Sequence, residues 1–338
     1  MTRIKKIQAL LSKKKVDALL ILKPENVRYL SGFTGSFGKL MIFKKKAVLY
    51  TDARYALVAR RQLQKEIEVR DIKKDLTHAM RKGLVMGYES HVMTVAALRD
   101  WKKRYPDVKF KALKEIVEPL RQIKDANEIK LYRKAGRMTA QCFEFFKKTV
   151  KPGQTEEEME WNLLKIAKSL GAEEFSFPPI IAFGKDTAEV HHQRNTKPYR
   201  KGEPLMLDFG LKYKGYCTDM TRMFNEQKLC SILQKAQEAA IQKIKVGASL
   251  KSIDDAARTV LKKAKTEDYF THSLGHGVGF EIHEMPSISQ KSKGKIKPGM
   301  IFTIEPGIYI EGKGGARLED MVLVDLNGRV SVITRQVL

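Results

Sequence analysis

Along the first third of the chain the apolar positions switch between two periods. Ile4, Ile7, Leu10 and Leu11 recur at three- and four-residue steps, which turns them to one side of a helix. The apolar run Asp17-Ala-Leu-Leu-Ile-Leu22 is short and uninterrupted, so it reads as a buried strand. A second helix near Val27 to Leu30, strands at Leu40 to Phe43 and Ala47 to Tyr50, and a helix from Arg54 through Leu63 continue the alternation. Such a pattern predicts an α/β layered domain over residues 1–120. The stretch around Pro119 to Asp125 marks the junction with a second domain over 121–338. There Asp125-Ala-Asn-Glu128 has capping-box spacing and opens a long helix through Phe146. Thr155 with Glu158 repeats the signal, and a further helix is expected over roughly Leu229 to Val246.

Acids interrupt the apolar strands of the second domain at particular places. Pro204 to Phe224 reads as two strands around a turn at Lys212 to Gly215. With Tyr213-Lys214 as the two-residue loop, Asp208 falls opposite Asp219. Like charges directly opposed across a hairpin destabilise it, so a cation between them is the simple remedy. The bland alternative is a pair of solvated acids, because one bulge or extra loop residue shifts the register. In His272-Ser-Leu-Gly-His276-Gly-Val-Gly-Phe-Glu-Ile-His283, glycines flank His276 and allow close backbone approach and positive φ. Neutral imidazole is a common ligand for borderline metals, although isolated histidines such as His272 and His192 are as readily structural. The three glycines do not have the dinucleotide-binding spacing or context.

Farther on, Ile301, Thr303 and Glu305 alternate onto one strand face, Pro306 ends the ladder, and Glu319 stands where another apolar strand begins. Either glutamate alone reads as ordinary surface. Taken with the other acids they change the picture, since four carboxylates balance two divalent cations and would otherwise be uncompensated in a strand-rich interior.

Charge adds a competing reading. The net charge is +25, and residues 1–120 hold 28 Lys plus Arg against 12 Asp plus Glu, or +16. A basic domain attracts polyanions, so a nucleic-acid or acidic-protein binding module is the rival class. The lysine runs at 13–15 and 44–46 lack interleaved aromatics and read as solvated surface, and nucleic acid is not expected as the partner. Cys142, Cys217 and Cys230 make no disulfide framework, no apolar run reaches membrane-spanning length, and the N-terminus lacks secretory features. A cytoplasmic protein without membrane association is the expectation.

The order Asp208, Asp219, His276, Glu305, Glu319, with steps of 11, 57, 29 and 14, resembles the pita-bread metallopeptidases, in particular the Xaa-Pro peptidases (aminopeptidase P and prolidase). The motifs carrying it are Gly-His276-Gly-Val-Gly-x-x-x-His283-Glu, Thr-Ile-Glu305-Pro-Gly-Ile-Tyr and Arg317-Leu-Glu319-Asp; Phe33-Thr-Gly-Ser and Thr51-Asp-Ala-Arg-Tyr55 are softer echoes. The resemblance implies a creatinase-like α/β domain followed by a duplicated α+β pita-bread domain. It implies hydrolysis of the Xaa-Pro bond at peptide N-termini by a hydroxide held between two metal ions. By it Asp208 and Asp219 hold one ion, His276 and Glu305 the second, and Asp219 and Glu319 both, with Glu305 also the proton shuttle. His191 and His283 match histidines that contact the substrate, and Arg317 matches a position near the metals suited to substrate contact or to holding a carboxylate. Mn(II) or Co(II) suits the ligand set, with Zn or Fe as alternatives. A proline-containing peptide and a homodimeric partner complete what the resemblance implies.

The chain departs from the family at Val190, commonly proline, at Phe183, usually small, and in a short Asn225 to Cys230 connection. None touches the four acids and the histidine. Retention of all five disfavours the metal-free creatinase type and leaves dipeptidase and longer-peptide aminopeptidase both open.

Overall fold

Thr2 caps the first helix by accepting the Lys5 N–H at 3.3 Å. The structure, a computed structural model, describes residues 1–335, so the last three positions of the expected 121–338 domain lie outside it. Two compact units divide the chain after Arg121.

In the first unit, helix α1 (Arg3–Lys13) buries Ile4, Ile7 and Leu11 as their spacing requires. Next come β1 (Ala18–Ile21), α2 (Pro24–Ser31), β2 (Lys39–Phe43), β3 (Ala47–Thr51) and α3 (Ala53–Gln62). Then follow β4 (Ile67–Asp71), α4 (Leu76–Ala79), β5 (Val85–Glu89), α5 (Val95–Arg104), β6 (Lys109–Leu113) and α6 (Glu118–Arg121). One mixed sheet runs β4-β3-β2-β1-β5-β6. β1 sits inside it, antiparallel to β2 and parallel to β5, and all four of its residues are buried. Coverage on both faces is why this strand is a continuous apolar run and not an alternation.

In the second unit both expected capping boxes form. Asp125 accepts the Glu128 N–H at 2.9 Å while Glu128 accepts the Asp125 N–H at 2.9 Å, opening α7 (Ala126–Lys147). Thr155 and Glu158 do the same for α8 (Glu156–Ser169). Strands β7 (Glu174–Phe175), β8 (Ile180–Phe183), β9 (Leu205–Phe209), β10 (Leu211–Tyr213), β11 (Tyr216–Cys217) and β12 (Met220–Phe224) lead to α9 (Gln227–Lys243) and α10 (Leu250–Lys263). The remainder is strand: β13 (Gly275–Gly277), β14 (Glu284–Ile288), β15 (Ile301–Ile304), β16 (Gly307–Ile310), β17 (Gly314–Arg317), β18 (Asp320–Val324) and β19 (Val330–Val332). These form sheets β12-β9-β8, β11-β10-β7, β14-β13-β15-β18-β19 and β16-β17. Helix α9 starts before Leu229 because Glu226 accepts the Leu229 N–H at 2.9 Å, and it stops at Lys243, where Ile244 turns extended and buries its side chain.

The acidic hairpin has a different register from the one expected. Tyr213 pairs with Tyr216 and Asp208 with Thr221, so the loop is Lys214-Gly215 and Asp219 does not sit opposite Asp208. Both loop residues have positive φ, 50° and 81°, the conformation that a two-residue hairpin turn needs and that glycine at its second position favours. Moving the turn by one residue shifts each pairing by two. Side-chain alternation has period two, so the two acids keep a common face as diagonal neighbours.

Candidate metal centre

Five strands of the second unit deliver the acids and the histidine to one cleft of about 730 Å³. Asp208 lies near the end of β9 and Asp219 just before β12; His276 is central in β13; Glu305 follows β15 and Glu319 precedes β18. All five line the cleft together with His191, His283 and Arg317. The pairing of Ile304 with Asp320 is what sets Glu305 and Glu319 side by side.

Close packing of backbone on backbone makes room for the imidazole. A Cβ on Gly275 would lie 1.9 Å from the Thr303 carbonyl oxygen, and one on Gly277 would lie 2.2 Å from that of Met285. The glycines therefore serve the close approach; neither they nor Gly279 has the positive φ that the sequence also allowed. The His276 Nδ1 lies 3.1 Å from the Gly277 carbonyl, which places the ring proton on Nδ1 and leaves the Nε2 lone pair free for a ligand. That Nε2 lies 3.4 Å from Glu305 Oε1 and 3.5 Å from Asp219 Oδ2. Burial lowers the His276 pKa, favouring the neutral ring.

The carboxylates carry the opposite signature. Burial, then the charges of Glu319, Asp208 and Glu305, hold the Asp219 carboxyl well above its ordinary range. Burial, then Glu305 and Asp208, do the same to Glu319. Glu305 is pushed up to about 8, chiefly by burial. Without cations, this cluster retains protons because it cannot hold its full negative charge.

Two observations test whether divalent ions fit. Asp208 Oδ1 and Asp219 Oδ1 are buried without a hydrogen-bond partner, a costly state that a cation relieves. Asp219, His276 and Glu319 each present a donor atom within 4.8 Å of the others. Hard carboxylate oxygens with one imidazole match divalent first-row metals, so the residues present fit the group.

A layer of neighbours fixes the donors, and the sequence reading assigned roles to few of them. Thr303 Oγ1 accepts the His276 N–H at 3.1 Å and donates to Glu305 Oε1 at 3.0 Å. Thr221 Oγ1 donates to Glu319 Oε2 at 2.7 Å. Arg317, 3% exposed, donates to Asp208 Oδ2, to Thr221 Oγ1 at 3.1 Å and to Tyr309 Oη at 2.7 Å. Tyr309 also meets His272 Nε2 at 2.9 Å. The missed signals were local: Thr221 stands two residues after Asp219 and Thr303 two before Glu305, the spacing that shares a strand face.

The histidines divide into two kinds. His192 is clamped by Glu189 at 2.7 Å and Glu156 at 2.9 Å; burial opposes its charge, yet these acids carry its pKa above the ordinary value. His272, bonded to Ser273 and Tyr309, is driven by burial to about 4. Both are structural in their contacts. All four line the cleft, and of them His191 and His283 are exposed. The His283 ring lies 4.4 Å from that of His276, and burial, then His276 and His191, lower its pKa.

The chain is similar to known proteins in sequence and fold. A model of metallopeptidase family M24 matches residues 130–325, and one of the creatinase/prolidase N-terminal domain matches residues 3–123. The Xaa-Pro dipeptidase of Pyrococcus horikoshii is 31% identical over 334 residues, 96% of this chain and 95% of that protein. Among solved structures, an Xaa-Pro dipeptidase from Bacillus anthracis matches with a TM-score of 0.92 at 32% identity, over 99% of this chain and 97% of the other. An X-Pro aminopeptidase from Thermotoga maritima matches with a TM-score of 0.88 at 31% identity, over 98% of each chain. The binding-module alternative finds no support in either family model. A model spanning more than half the chain, joined to near-full-length likeness in sequence and fold, leaves one placement: the chain belongs to metallopeptidase family M24, with a creatinase/prolidase N-terminal domain and the α/β plus pita-bread architecture expected of it.

Proposed function

We propose that the chain is a divalent-metal-dependent Xaa-Pro peptidase that hydrolyses the Xaa-Pro bond at peptide N-termini, releasing the first residue when proline is second. The observation that carries this reading is the convergence of five donor side chains, two with orphaned buried oxygens, in a cleft that fits a peptide end. The likeness to named Xaa-Pro dipeptidases supports the substrate class. Asp208 and Asp219 would hold one ion and His276 and Glu305 the other, with Asp219 and Glu319 shared. Bound ions of this kind lower the pKa of water and polarise a carbonyl.

The chain's own groups do the rest. Glu305, held by Thr303, would take a proton from the attacking water and return it to the proline nitrogen as the C–N bond breaks, the water oxygen having bonded to the carbonyl carbon. His283 and His191, at the cleft wall, donate to the scissile carbonyl or the proline end. Arg317 donates to Asp208 and so keeps that carboxylate aimed. A bond to proline is a tertiary amide with no N–H, so recognition must come from shape and from the carbonyl, which these groups face. We favour Mn(II) or Co(II), with Zn or Fe as the alternatives, on ligand type. We further propose a cytoplasmic homodimer; no helix among the described residues is long and apolar enough to cross a membrane.

Metal-loaded protein is expected to hydrolyse Ala-Pro or Ala-Pro-Ala, read by release of alanine, and to stop when chelated. No turnover of either peptide with any of the four metals overturns the reading. Tyr309→Phe removes one hydroxyl that steadies both Arg317 and His272, and is expected to weaken metal affinity or kcat/KM by about 10–100-fold. Titration calorimetry with Mn(II) and steady-state kinetics check it; a variant equal to the parent in both shows that Asp208 needs no such support.

A further inference from the structure

A second cavity of about 670 Å³ shares Ser287 with the metal cleft. Its floor is apolar, from Leu250, Pro286 and Met300, and its rim is Lys291, Lys293, Lys295 and Lys297. No carboxylate lines it, and none of these four lysines makes an ion pair among the described residues. Four exposed ammonium groups at alternate positions, with no acid between them, repel one another and build a local positive potential.

The segment is held in this shape. Ser292 donates to the Ser287 carbonyl at 2.6 Å and accepts the Ser289 N–H at 3.1 Å. Beyond it, the Leu250 N–H donates to Gly294, the Ile296 N–H to Ala248 and the Gly247 N–H to Ile296, at 3.1, 2.8 and 2.9 Å. Ile296 is 1% exposed and points into the core, so its neighbours Lys295 and Lys297 turn outward. The rim is therefore preorganised, which lowers the ordering cost of binding.

On charge, one part of a substrate suits it. The reading of the cleft as an Xaa-Pro site, on which this inference rests, leaves a single residue and its ammonium on the acidic side. The chain beyond proline is what leaves the cleft, and it ends in a carboxylate. Lysines repel the first end and attract the second. We propose that the lysine-rimmed cavity receives the peptide beyond proline, passing over Ser287, and selects longer substrates with aspartate or glutamate there.

The test compares kcat/KM for Ala-Pro-Glu-Glu and Ala-Pro-Ala-Ala on the Mn(II)-loaded protein and on a variant combining Lys291→Ser, Lys293→Ser, Lys295→Ser and Lys297→Ser. The parent should favour the acidic peptide roughly tenfold at low salt, with the preference fading as salt rises and lost in the variant. Taking a ratio cancels any general loss of activity. A preference that is absent, or equal in both proteins, overturns the proposal. If neither protein cleaves either tetrapeptide, the Xaa-Pro reading is judged separately on Ala-Pro and Ala-Pro-Ala, and fluorescence anisotropy of C-terminally labelled Ala-Pro-Glu-Glu still decides the cavity. Salt-sensitive binding lost in the variant supports it, and binding alike in both proteins sinks it.

Discussion

Glu305→Gln will lower kcat/KM for an Xaa-Pro peptide by about 10²–10⁴-fold, the range that a positioned proton-transfer group contributes. Glutamine has the same length and shape and can still meet Thr303 Oγ1, so the loop after β15 has no reason to move. What it cannot do is exchange a proton. The native carboxyl can accept a proton at an oxygen and give it up again, which an amide at the same position cannot. Because Glu305 also stands 3.4 Å from His276 Nε2, the same change can weaken a metal ion, and the two effects need separating. Metal content of the variant, measured by elemental analysis after equilibration with excess Mn(II), separates them. Full metal with the expected fall in rate assigns proton transfer to Glu305. Full metal with the parent's rate excludes it.

Much of this centre was legible in the sequence because its signals are short-range. The capping boxes at Asp125 and Thr155 need only three residues each, and both formed. The run at β1 was readable because a strand inside the sheet is buried on both faces. Helix α10 was readable too, since Leu250, Ile253, Ala257 and Leu261 step at three and four residues, but it went unassigned among the lysines that cover its other side. The hairpin register was not fixed by pattern: a loop at Tyr213-Lys214 and one at Lys214-Gly215 give both acids the same face, and only the positive φ demanded of both loop residues chooses the second. Least legible were partners brought from far along the chain. The bond from Arg317 to Asp208 spans 109 residues and that from Thr221 to Glu319 spans 98, and no periodicity reports such a meeting. Motif resemblance reached Arg317 but was silent on Thr221, whose side chain orders two of the groups around the acids.

Stripping divalent metal will make the protein's stability fall as pH rises, and restoring Mn(II) will stabilise it far more at pH 8 than at pH 5.5. Glu305 titrates at about 8 in the folded metal-free chain against an ordinary value of 4.5, and Asp219 and Glu319 are raised as well. Between those limits the folded state keeps protons that the unfolded chain has released. Stability from this source is thus present at low pH and lost progressively as pH climbs from the ordinary carboxyl range through about 8. The slope is up to ~1.4 kcal/mol per pH unit for each retained proton. This is the reverse of a carboxylate whose pKa is depressed by a salt bridge. His192 pulls the same way, since its raised pKa gives stability that is lost as pH rises through it, while the lowered His272 and His283 pull the other way as pH rises toward the ordinary histidine value; all three do so with or without metal and drop out of the difference. Metal ions reverse the sign by requiring the carboxylates ionised, so binding expels the protons and strengthens with pH. At free Mn(II) about a hundredfold above Kd the gain is ~2.7 kcal/mol, and at pH 5.5, where protons compete, it shrinks toward zero. Thermal melts in chelator and in excess Mn(II) at both pH values measure the four corners. Equal metal-induced shifts at the two pH values would show that the raised carboxyls are not the groups the metal displaces protons from.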